Sequence, residues 1–424
     1  MYIKLGLFIG GKWIYEAKKG EDVLNPFDES VLGWLPHATE DNLNDAVKSA
    51  EKGFDEWRNT DPETRGRIIL KAADILSKRI SAVSEVMTLE QGKPLAESAG
   101  EINQSIAILK FNGTNAKLIK DDLVADRENG LKTLIKPQPL GVCLCLTAWN
   151  FPIALVIRKI APALAAGCSV IIKPSEETPG TAVEVVKIFL EAGLPKDVIN
   201  LVFGVPHEIS DYLLSRDEVK KVSFTGSVPV GKLLAKKSAE TLKRCTLELG
   251  GHSPAIIAED ADIEATLDIL TGFKFRNAGQ VCIAPSRFYV HEKIYDQVKD
   301  GFLKRIKNII LGNGMNEGVS MGPLSNSRRV DAMKDFVDDA VKNGSNIIYG
   351  GSRYKGVGYF WEPTLIENIN EGSKMMTQEI FGPILPLFKF KDYDDVIEKA
   401  NSLNFGLASY VYTTSKTLQE KMAK

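Results

Sequence analysis

The stretch "GVCLCLTAWNFPIALVIRKIAPALAAGCSVIIKPS", residues 141–175, decides the fold class. It opens with a short apolar run, continues through a helical pattern near 153–166 and closes with a second apolar run, "SVIIKP". Apolar strands joined by a helical crossover are typical of a parallel sheet that is covered on both faces. The stretch therefore predicts an α/β fold whose ligands bind beyond the carboxyl ends of the strands.

The same alternation continues along the chain. Further strands are predicted at "INLVFG", "KVSFTG" and "CTLELGG", separated by helices near 180–192, 207–215 and 228–240. From about 253 a second α/β segment begins, with strands predicted at "PAIIAE", "SRFYVH", "NIIYG" and "ILPLFKF". We therefore expect two Rossmann-like α/β lobes with a joint at Gly250 and Gly251.

Residues 40–118 precede these lobes and carry the periodicity of several amphipathic helices. Asp61 followed by Pro62 is typical of a helix start, as N-cap and first helical residue. We expect this helical layer to pack on a sheet.

Composition excludes several classes of protein. The chain has 424 residues, 44% hydrophobic and 25% charged, which is ordinary for two or three globular domains. A net charge of −2 with scattered Lys and Arg argues against a nucleic-acid partner. No secretory signal opens the chain and no apolar run approaches the roughly 20 residues that span a bilayer, so we expect no membrane partner and a cytoplasmic location. Four isolated histidines have no metal-ligand spacing, so no metal is expected.

Cys282, in "FRNAGQVCIAP" at 275–285, is the candidate nucleophile. A cysteine in a glycine-containing loop after a helix can be partly exposed and activated by nearby N–H groups or a base. A buried structural thiol is the alternative. We assign that packing role to the other four cysteines, Cys143, Cys145, Cys168 and Cys245.

Two polar residues next to predicted strands could assist such a thiol. Glu248, in "LELGG", is flanked by apolar residues and glycines, where desolvation raises the pKa of a carboxyl group and suits it to act as a general base. Asn150, in "AWNFP", offers an amide N–H that could stabilise an oxyanion. An asparagine that holds a turn is the alternative for Asn150.

Other residues could bind a dinucleotide. "FTGSVPVGK" places Gly226 and Ser227 at a strand-to-helix turn, where free N–H groups favour a pyrophosphate, although such a turn can also serve packing alone. Lys173 and Glu176 end a neighbouring strand. A carboxylate there could accept the ribose hydroxyls and would repel a 2′-phosphate, which favours NAD over NADP. A solvated surface pair is the alternative for Lys173 and Glu176.

The motifs "AWNFP", "KPSEE", "FTGS", "LELGG", "GQVC" and "EIFGP", in this order and at these intervals, resemble the aldehyde dehydrogenase superfamily over nearly the whole chain. The resemblance implies that Cys282 is the nucleophile, Asn150 the oxyanion donor and Glu248 the general base. It implies NAD as the cofactor and homodimers or homotetramers as the assembly. The cofactor contacts that it implies are Trp149, Lys173, Glu176, Gly204, Gly226, Ser227, Leu249, Gly250, Glu379 and Phe381.

Arg158 and Arg276 refine the expected substrate. Both match the arginines that grip the substrate carboxylate in succinate-semialdehyde dehydrogenases. A guanidinium group pairs bidentately with a carboxylate, so two of them favour an aldehyde that carries a carboxylate at its other end. We rank succinate semialdehyde first and 2-oxoglutarate semialdehyde, suggested by "GQVCIAPSRF", second. Interdomain salt bridges are the alternative use of the two arginines.

The resemblance also implies a division of the chain. Residues 1–118 and 138–250 would bind NAD, 119–137 would form oligomerisation strands, and 251–424 would form the catalytic domain. The sequence given stops at "VYTTSKTLQEKMAK", before the family's last strand, which pairs with a neighbouring subunit. We therefore keep a second hypothesis, a shortened product that binds NAD or associates with full-length subunits without catalysis.

Overall fold

The computed structural model describes residues 2–120, 122–126, 132–354 and 356–423. The chain forms two compact units. Unit 1 comprises Met1–Leu24, Val31–Glu90 and Ser98–Glu248, and unit 2 comprises Asn25–Ser30, Gln91–Glu97 and Leu249–Lys424.

Unit 1 is built on a seven-stranded sheet with the strand order β11-β10-β7-β8-β9-β1-β2. Strands β7 to β11 run parallel, whereas β1 and β2 are antiparallel additions at one edge. Two separate pairs, β3–β4 and β5–β6, complete its described strands. The bounds are β1 Leu7–Ile9, β2 Lys12–Ile14, β3 Gly20–Leu24, β4 Val31–Pro36, β5 Asp122–Asp126, β6 Lys132–Ile135, β7 Val142–Leu146, β8 Ser169–Lys173, β9 Ile199–Leu201, β10 Val219–Thr225 and β11 Arg244–Glu248.

Helices cover this sheet, as the apolar strands require. Every residue of β7 and β8 is buried, which is expected of central strands that are covered on both faces. Thr39 and Asp61 cap the first two helices with their side chains, and Pro62 is the first helical residue of the second, as predicted. The bounds are α1 Glu40–Trp57, α2 Pro62–Lys78, α3 Ile80–Gln91, α4 Leu95–Asn115, α5 Pro152–Ala165, α6 Pro179–Ala192, α7 Pro206–Ser215 and α8 Val228–Ala239.

The parallel register brings the ends of several strands to one edge of the sheet. Leu146 at the end of β7 pairs with Lys173 of β8 and with Phe224 of β10. Thr225 at the end of β10 pairs with Glu248 at the end of β11. Polar residues that are far apart in sequence therefore lie at the same carboxyl edge, which is where ligands bind in sheets of this type.

Unit 2 is built on a six-stranded sheet with the order β14-β15-β16-β13-β12-β17. All its neighbouring strands are parallel except the pair β14–β15. Its strands are β12 Ser253–Ile257, β13 Pro285–His291, β14 Asn346–Tyr349, β15 Thr364–Glu367, β16 Ile384–Phe390 and β17 Tyr410–Tyr412. Its helices are α9 Ile263–Phe275, α10 Tyr295–Ile306, α11 Ser327–Lys342, α12 Lys374–Thr377, α13 Tyr393–Asn401 and α14 Lys416–Met422.

The α/β fold class is confirmed, and all nine strands predicted in the two lobes are present. Sequence patterning missed β1, β2, β3, β4, β15 and β17, which have three to six residues each and are too short to show a clear period. Among the described residues, no helix combines the length and apolarity that a membrane crossing needs. The assignment of NAD-binding, oligomerisation and catalytic roles to particular domains stays a prediction.

Candidate active site

Three of the residues predicted to bind a cofactor form one cluster in unit 1. The Lys173 Nζ lies 2.6 Å from the Glu176 Oε1, and both side chains are largely buried. The backbone N–H of Gly204 donates to Glu176 Oε1 over 3.3 Å. Burial raises the pKa of Glu176, and the neighbouring Lys173 ammonium opposes that shift. The pair is therefore an organised polar site at the carboxyl edge of the sheet, not a solvated surface pair.

Glu248 ends β11 and is half-buried. The Thr225 hydroxyl donates to Glu248 Oε2 over 3.1 Å, and the Gly226 N–H donates to the Glu248 carbonyl over 3.1 Å. Ser227 is the exposed N-cap of α8, and its hydroxyl makes no capping hydrogen bond. Gly226 and Ser227 therefore lie at the N-terminus of α8, and a helix N-terminus of this kind can accept a phosphate.

Sequence reasoning missed Lys159, on α5. Its ammonium is buried, lies 3.4 Å from the Ser223 hydroxyl, and is attracted by the charge of the Glu248 carboxylate. Burial lowers the pKa of Lys159. A lysine inside the apolar run "ALVIRKIAPALA" was the available signal, because such a residue is rarely buried without a charged neighbour.

Trp149 and Asn150 lie just before α5, and Asn150 is 4% exposed. The N-cap of α5, Phe151, has no side chain able to cap the helix. Glu101 of α4 does so instead, because its Oε1 accepts the N–H groups of Ile153 and Ala154 over 3.1 and 3.0 Å. A carboxyl group from another helix thus fixes the helix start that follows Asn150.

Unit 2 carries the candidate nucleophile after a left-handed turn. Helix α9 ends at Phe275, and Asn277, Ala278 and Gly279 then have φ angles of 50°, 50° and 73°. A left-handed conformation costs an ordinary L-residue roughly 1–2 kcal/mol, so a succession of such residues needs support from its surroundings. Cys282 follows and is half-buried.

Contacts on the downstream side also hold the cysteine segment. The Tyr410 hydroxyl donates to the Ile283 carbonyl over 2.7 Å. A Cβ atom at Gly251 would lie only 3.0 Å from the Cys282 carbonyl oxygen, so a larger residue there would crowd that carbonyl. Burial raises the pKa of Tyr410 to about 12, with further contributions from Tyr412 and Cys282.

Glu379 lies against the glycine pair that was predicted as the joint. The Gly251 N–H donates to Glu379 Oε1 over 3.3 Å, and a Cβ atom at Gly250 would collide with Glu379 Oε2. Burial raises the pKa of Glu379 to about 7, although the Gly251 hydrogen bond and the charges of Arg329 and Lys274 oppose the shift. A larger residue at Gly250 would therefore have to displace the Glu379 carboxylate.

Phe381, two residues later, has a φ angle of 47°. Arg329 donates through Nη2 to the carbonyl oxygens of Ile380 and Phe381 over 2.6 and 2.9 Å. Its guanidinium carbon also lies 5.6 Å from the centre of the Phe381 ring. Arg329 thus holds the backbone of the "EIFGP" motif in its unusual conformation.

The predicted residues divide between the two units. Unit 1 contains Trp149, Asn150, Arg158, Lys173, Glu176, Gly204, Gly226, Ser227 and Glu248, and unit 2 contains Leu249, Gly250, Arg276, Cys282, Glu379 and Phe381. Arg158 is exposed on α5, whereas Arg276 is half-buried at the end of α9.

One cysteine assignment is wrong. Cys245 is exposed, because it lies in β11 at the edge of its sheet, whereas Cys143, Cys145 and Cys168 are buried as expected of packing residues. Within the described part of the chain, no group of His, Cys, Asp or Glu side chains could hold a metal ion.

A family model described as "Aldehyde dehydrogenase family" matches residues 13–424. The chain is similar to a mitochondrial succinate-semialdehyde dehydrogenase of Oryza sativa subsp. japonica, with 39% identity over 96% of this chain and 77% of the relative. It is 35% identical to the NADP(+) succinate-semialdehyde dehydrogenase GabD of Escherichia coli K12, over 95% of this chain and 84% of the relative.

The fold of this chain is also similar to that of a solved structure. A succinate-semialdehyde dehydrogenase from Burkholderia pseudomallei superimposes with a TM-score of 0.96 and 34% identity. The match covers 99% of this chain and 87% of that chain.

Proposed function

The chain belongs to the aldehyde dehydrogenase family, and from that premise we propose that it oxidises succinate semialdehyde to succinate with NAD⁺. One observation supports this substrate above all: one arginine lies close to Asn150 in the chain, and another lies close to Cys282. Arg158 is exposed on the helix that follows Asn150, and Arg276 lies six residues before Cys282. Two guanidinium groups favour a substrate with a carboxylate, and relatives with 35–39% identity are named for succinate semialdehyde.

We propose the following roles for the chain's own residues. The Cys282 thiolate forms a bond to the aldehyde carbon, and the Asn150 amide with the Cys282 N–H donates to the resulting oxyanion. When bound, NAD⁺ supplies the acceptor for the hydride that leaves this carbon. Glu248 then takes a proton from the water that attacks the thioester, which breaks the C–S bond and releases the carboxylic acid. The half-buried position of Glu248 and its bond from Thr225 suit a base held in one orientation.

The residues of unit 1 fit a dinucleotide. Glu176 offers a carboxylate to ribose hydroxyls, Lys173 neutralises it, and the N-terminus of α8 beside Ser227 suits a pyrophosphate. We propose NAD as the preferred cofactor, because Glu176 would repel the 2′-phosphate of NADP. The E. coli relative is named for NADP⁺, so both cofactors belong in the assay.

The deciding experiment is a comparison of aldehydes. Purified chain is assayed for reduced cofactor with succinate semialdehyde, 2-oxoglutarate semialdehyde and an uncharged aldehyde, each with NAD⁺ and NADP⁺. We expect Cys282→Ala to abolish the reaction. We expect Arg158→Ala to raise KM for succinate semialdehyde at least about tenfold, the scale of one charge-assisted hydrogen bond, and to leave KM for the uncharged aldehyde nearly unchanged.

Arg67→Ala is the matched control, since Arg67 is an exposed arginine on α2 of the same unit. Equal effects of Arg158→Ala on charged and uncharged aldehydes would contradict the carboxylate assignment. Higher kcat/KM for 2-oxoglutarate semialdehyde would select the second substrate. NAD⁺ binding without turnover of any aldehyde would favour the non-catalytic alternative.

We also propose that the chain forms homo-oligomers through residues 119–137 and acts in the cytoplasm. In support, all four residues of β6 are exposed, and Leu134 and Ile135 each have just over half of their surface in contact with solvent. An exposed apolar strand edge is a template for pairing with another chain. A monomer in sedimentation equilibrium at micromolar concentration would contradict the assembly.

A further inference from the structure

The turn before Cys282 is held in part by Gln91 and Glu97, which belong to none of the predicted site motifs. We propose that Gln91 is a positioning residue for Cys282, because its side-chain amide fixes Asn277 and with it the left-handed turn that leads to the thiol. This inference rests on the proposed function, in which Cys282 is the nucleophile.

Asn277 is the centre of this arrangement. Gln91 Nε2 donates to Asn277 Oδ1 over 2.7 Å, and Glu97 Oε2 accepts the Asn277 backbone N–H over 2.8 Å. Asn277 Nδ2 donates to the Gln280 carbonyl over 3.3 Å, and Gln280 returns a bond from Nε2 to the Asn277 carbonyl over 3.0 Å. All four polar groups of Asn277, two in the backbone and two in the side chain, therefore have partners.

Gln91 is itself fixed. It is the last residue of α3, it is completely buried, and its Oε1 accepts the backbone N–H of Lys93 over 3.0 Å. The Gln280 side chain is anchored separately, because its Oε1 accepts the Ser325 N–H over 3.0 Å. Two buried amides thus hold the turn from opposite ends, and neither can reorient without losing a buried hydrogen bond.

The turn needs this support. Asn277 and Ala278 are held at φ angles of 50°, which side chains disfavour. Strained backbone of this kind persists only where surrounding contacts determine it, and such sites cluster at functional positions. Cys282 lies three residues beyond Gly279, where the turn ends, so a change in the turn displaces the Cys282 thiol. A displacement of about 1 Å can slow a reaction a hundredfold.

Gln91→Glu removes one interaction with little change of shape. A glutamate keeps the acceptor for the Lys93 N–H but places an oxygen where the donor to Asn277 Oδ1 was. Ser325→Ala is the matched control, since only the Ser325 backbone joins the network, and its buried hydroxyl has no hydrogen-bond partner within the described residues. Iodoacetamide is the probe, and peptide mass spectrometry follows alkylation at Cys282 and at the exposed Cys245 between pH 6 and 9.

We expect Gln91→Glu to slow alkylation of Cys282 about tenfold across this pH range and to leave Cys245 unchanged. The kcat for aldehyde oxidation should fall by a similar factor while KM for NAD⁺ stays within about twofold. General destabilisation would instead speed alkylation of Cys282, because local unfolding exposes the thiol. Ser325→Ala should match the original chain. Alkylation of Cys282 in Gln91→Glu at the original rate would overturn the inference.

Asn277→Gly is a second variant that tests the same inference if Gln91→Glu does not fold. Glycine adopts the left-handed conformation without strain, but it cannot bond to Gln91. We expect the same slowing at Cys282, and an unchanged rate would again overturn the inference. Because alkylation needs no turnover, a chain that oxidises no aldehyde but shows the slowing contradicts the proposed function alone.

Discussion

At the scale of single residues, burial decides which ionisable groups are unusual. Lys274, on α9, is 1% exposed, and this burial lowers its pKa to about 7, against the opposing charge of Glu379. An ammonium removed from water loses hydration that one neighbouring carboxylate only partly replaces. The same burial raises the pKa of Glu379 to about 7. Lys274 and Glu379 therefore both change their protonation state near neutral pH.

Lys274→Met should stabilise the protein most at acid pH. The folded chain binds a proton at Lys274 less tightly than the unfolded chain, so the stability of the original chain rises with pH between about 7 and 10.5. Below pH 7 the folded chain carries the whole cost of the buried ammonium. Methionine removes that cost, and we expect a gain on the order of 3 kcal/mol at pH 6 and a smaller gain at pH 9.

The gain is measured as the difference in Tm between variant and original chain at the two pH values. Lys304→Met is the control, because Lys304 is exposed on α10, and it should leave Tm unchanged. The same gain at pH 6 and pH 9 would contradict a charge effect and would indicate improved packing alone.

At the scale of elements, the end of α8 contains a conformation that its sequence does not favour. Beyond the helix, the Lys243 N–H donates to the Ser238 carbonyl over 2.9 Å and the Leu242 N–H to the Ala239 carbonyl over 3.3 Å. This pair of bonds is the Schellman motif, which usually has glycine at the left-handed position. Here that position is Leu242, with a φ angle of 53° and 89% of its surface exposed.

Leu242→Gly should therefore stabilise the protein. Glycine avoids a left-handed penalty of roughly 1–2 kcal/mol and adds roughly 0.5–1 kcal/mol of chain entropy to the unfolded state, so we expect a net gain of about 0.5–1 kcal/mol. Little burial is lost, since the side chain is already in water. Leu242→Ala keeps the Cβ atom and should give no gain in urea denaturation. Equal stability of the two variants would contradict the conformational explanation.

Elements also show where sequence patterning succeeds. The central strands β7, β8 and β13 are buried along their whole length, and the apolar runs within them, such as VCLCL in β7, are visible locally. The start of α5 shows the limit. Its cap is Glu101, which lies about fifty residues earlier, and no local rule links a phenylalanine N-cap to a distant carboxyl group.

At the scale of the whole molecule, the same distinction applies to the candidate site. Residues that follow strands were predictable, because a parallel sheet brings its carboxyl ends to one edge, as Lys173 and Glu248 illustrate. Lys159, Gln91 and Glu97 were not predicted. The bond from Gln91 to Asn277 spans 186 positions, and only the folded chain brings the two amides together.

The distribution of the five cysteines over the folded chain gives the last prediction. Cys143 and Cys145 lie in β7 and Cys168 lies immediately before β8, where the sheet and its helices exclude reagents from all three thiols. Burial raises the pKa of Cys145 to about 12, which further lowers its reactivity. Cys245 is exposed at the sheet edge, and Cys282 is half-buried in its loop.

Ellman's reagent should therefore modify two thiols in the native chain and five in denaturant. Cys245→Ser and Cys282→Ala should each reduce the native count to one, and the thiol that remains in Cys245→Ser should react more slowly because Cys282 is only partly accessible. Cys143→Ser is the control and should leave the native count at two. A native count of three or more would mean that the sheet of unit 1 opens on the timescale of the reaction, since the three buried thiols have no other route to solvent than local unfolding.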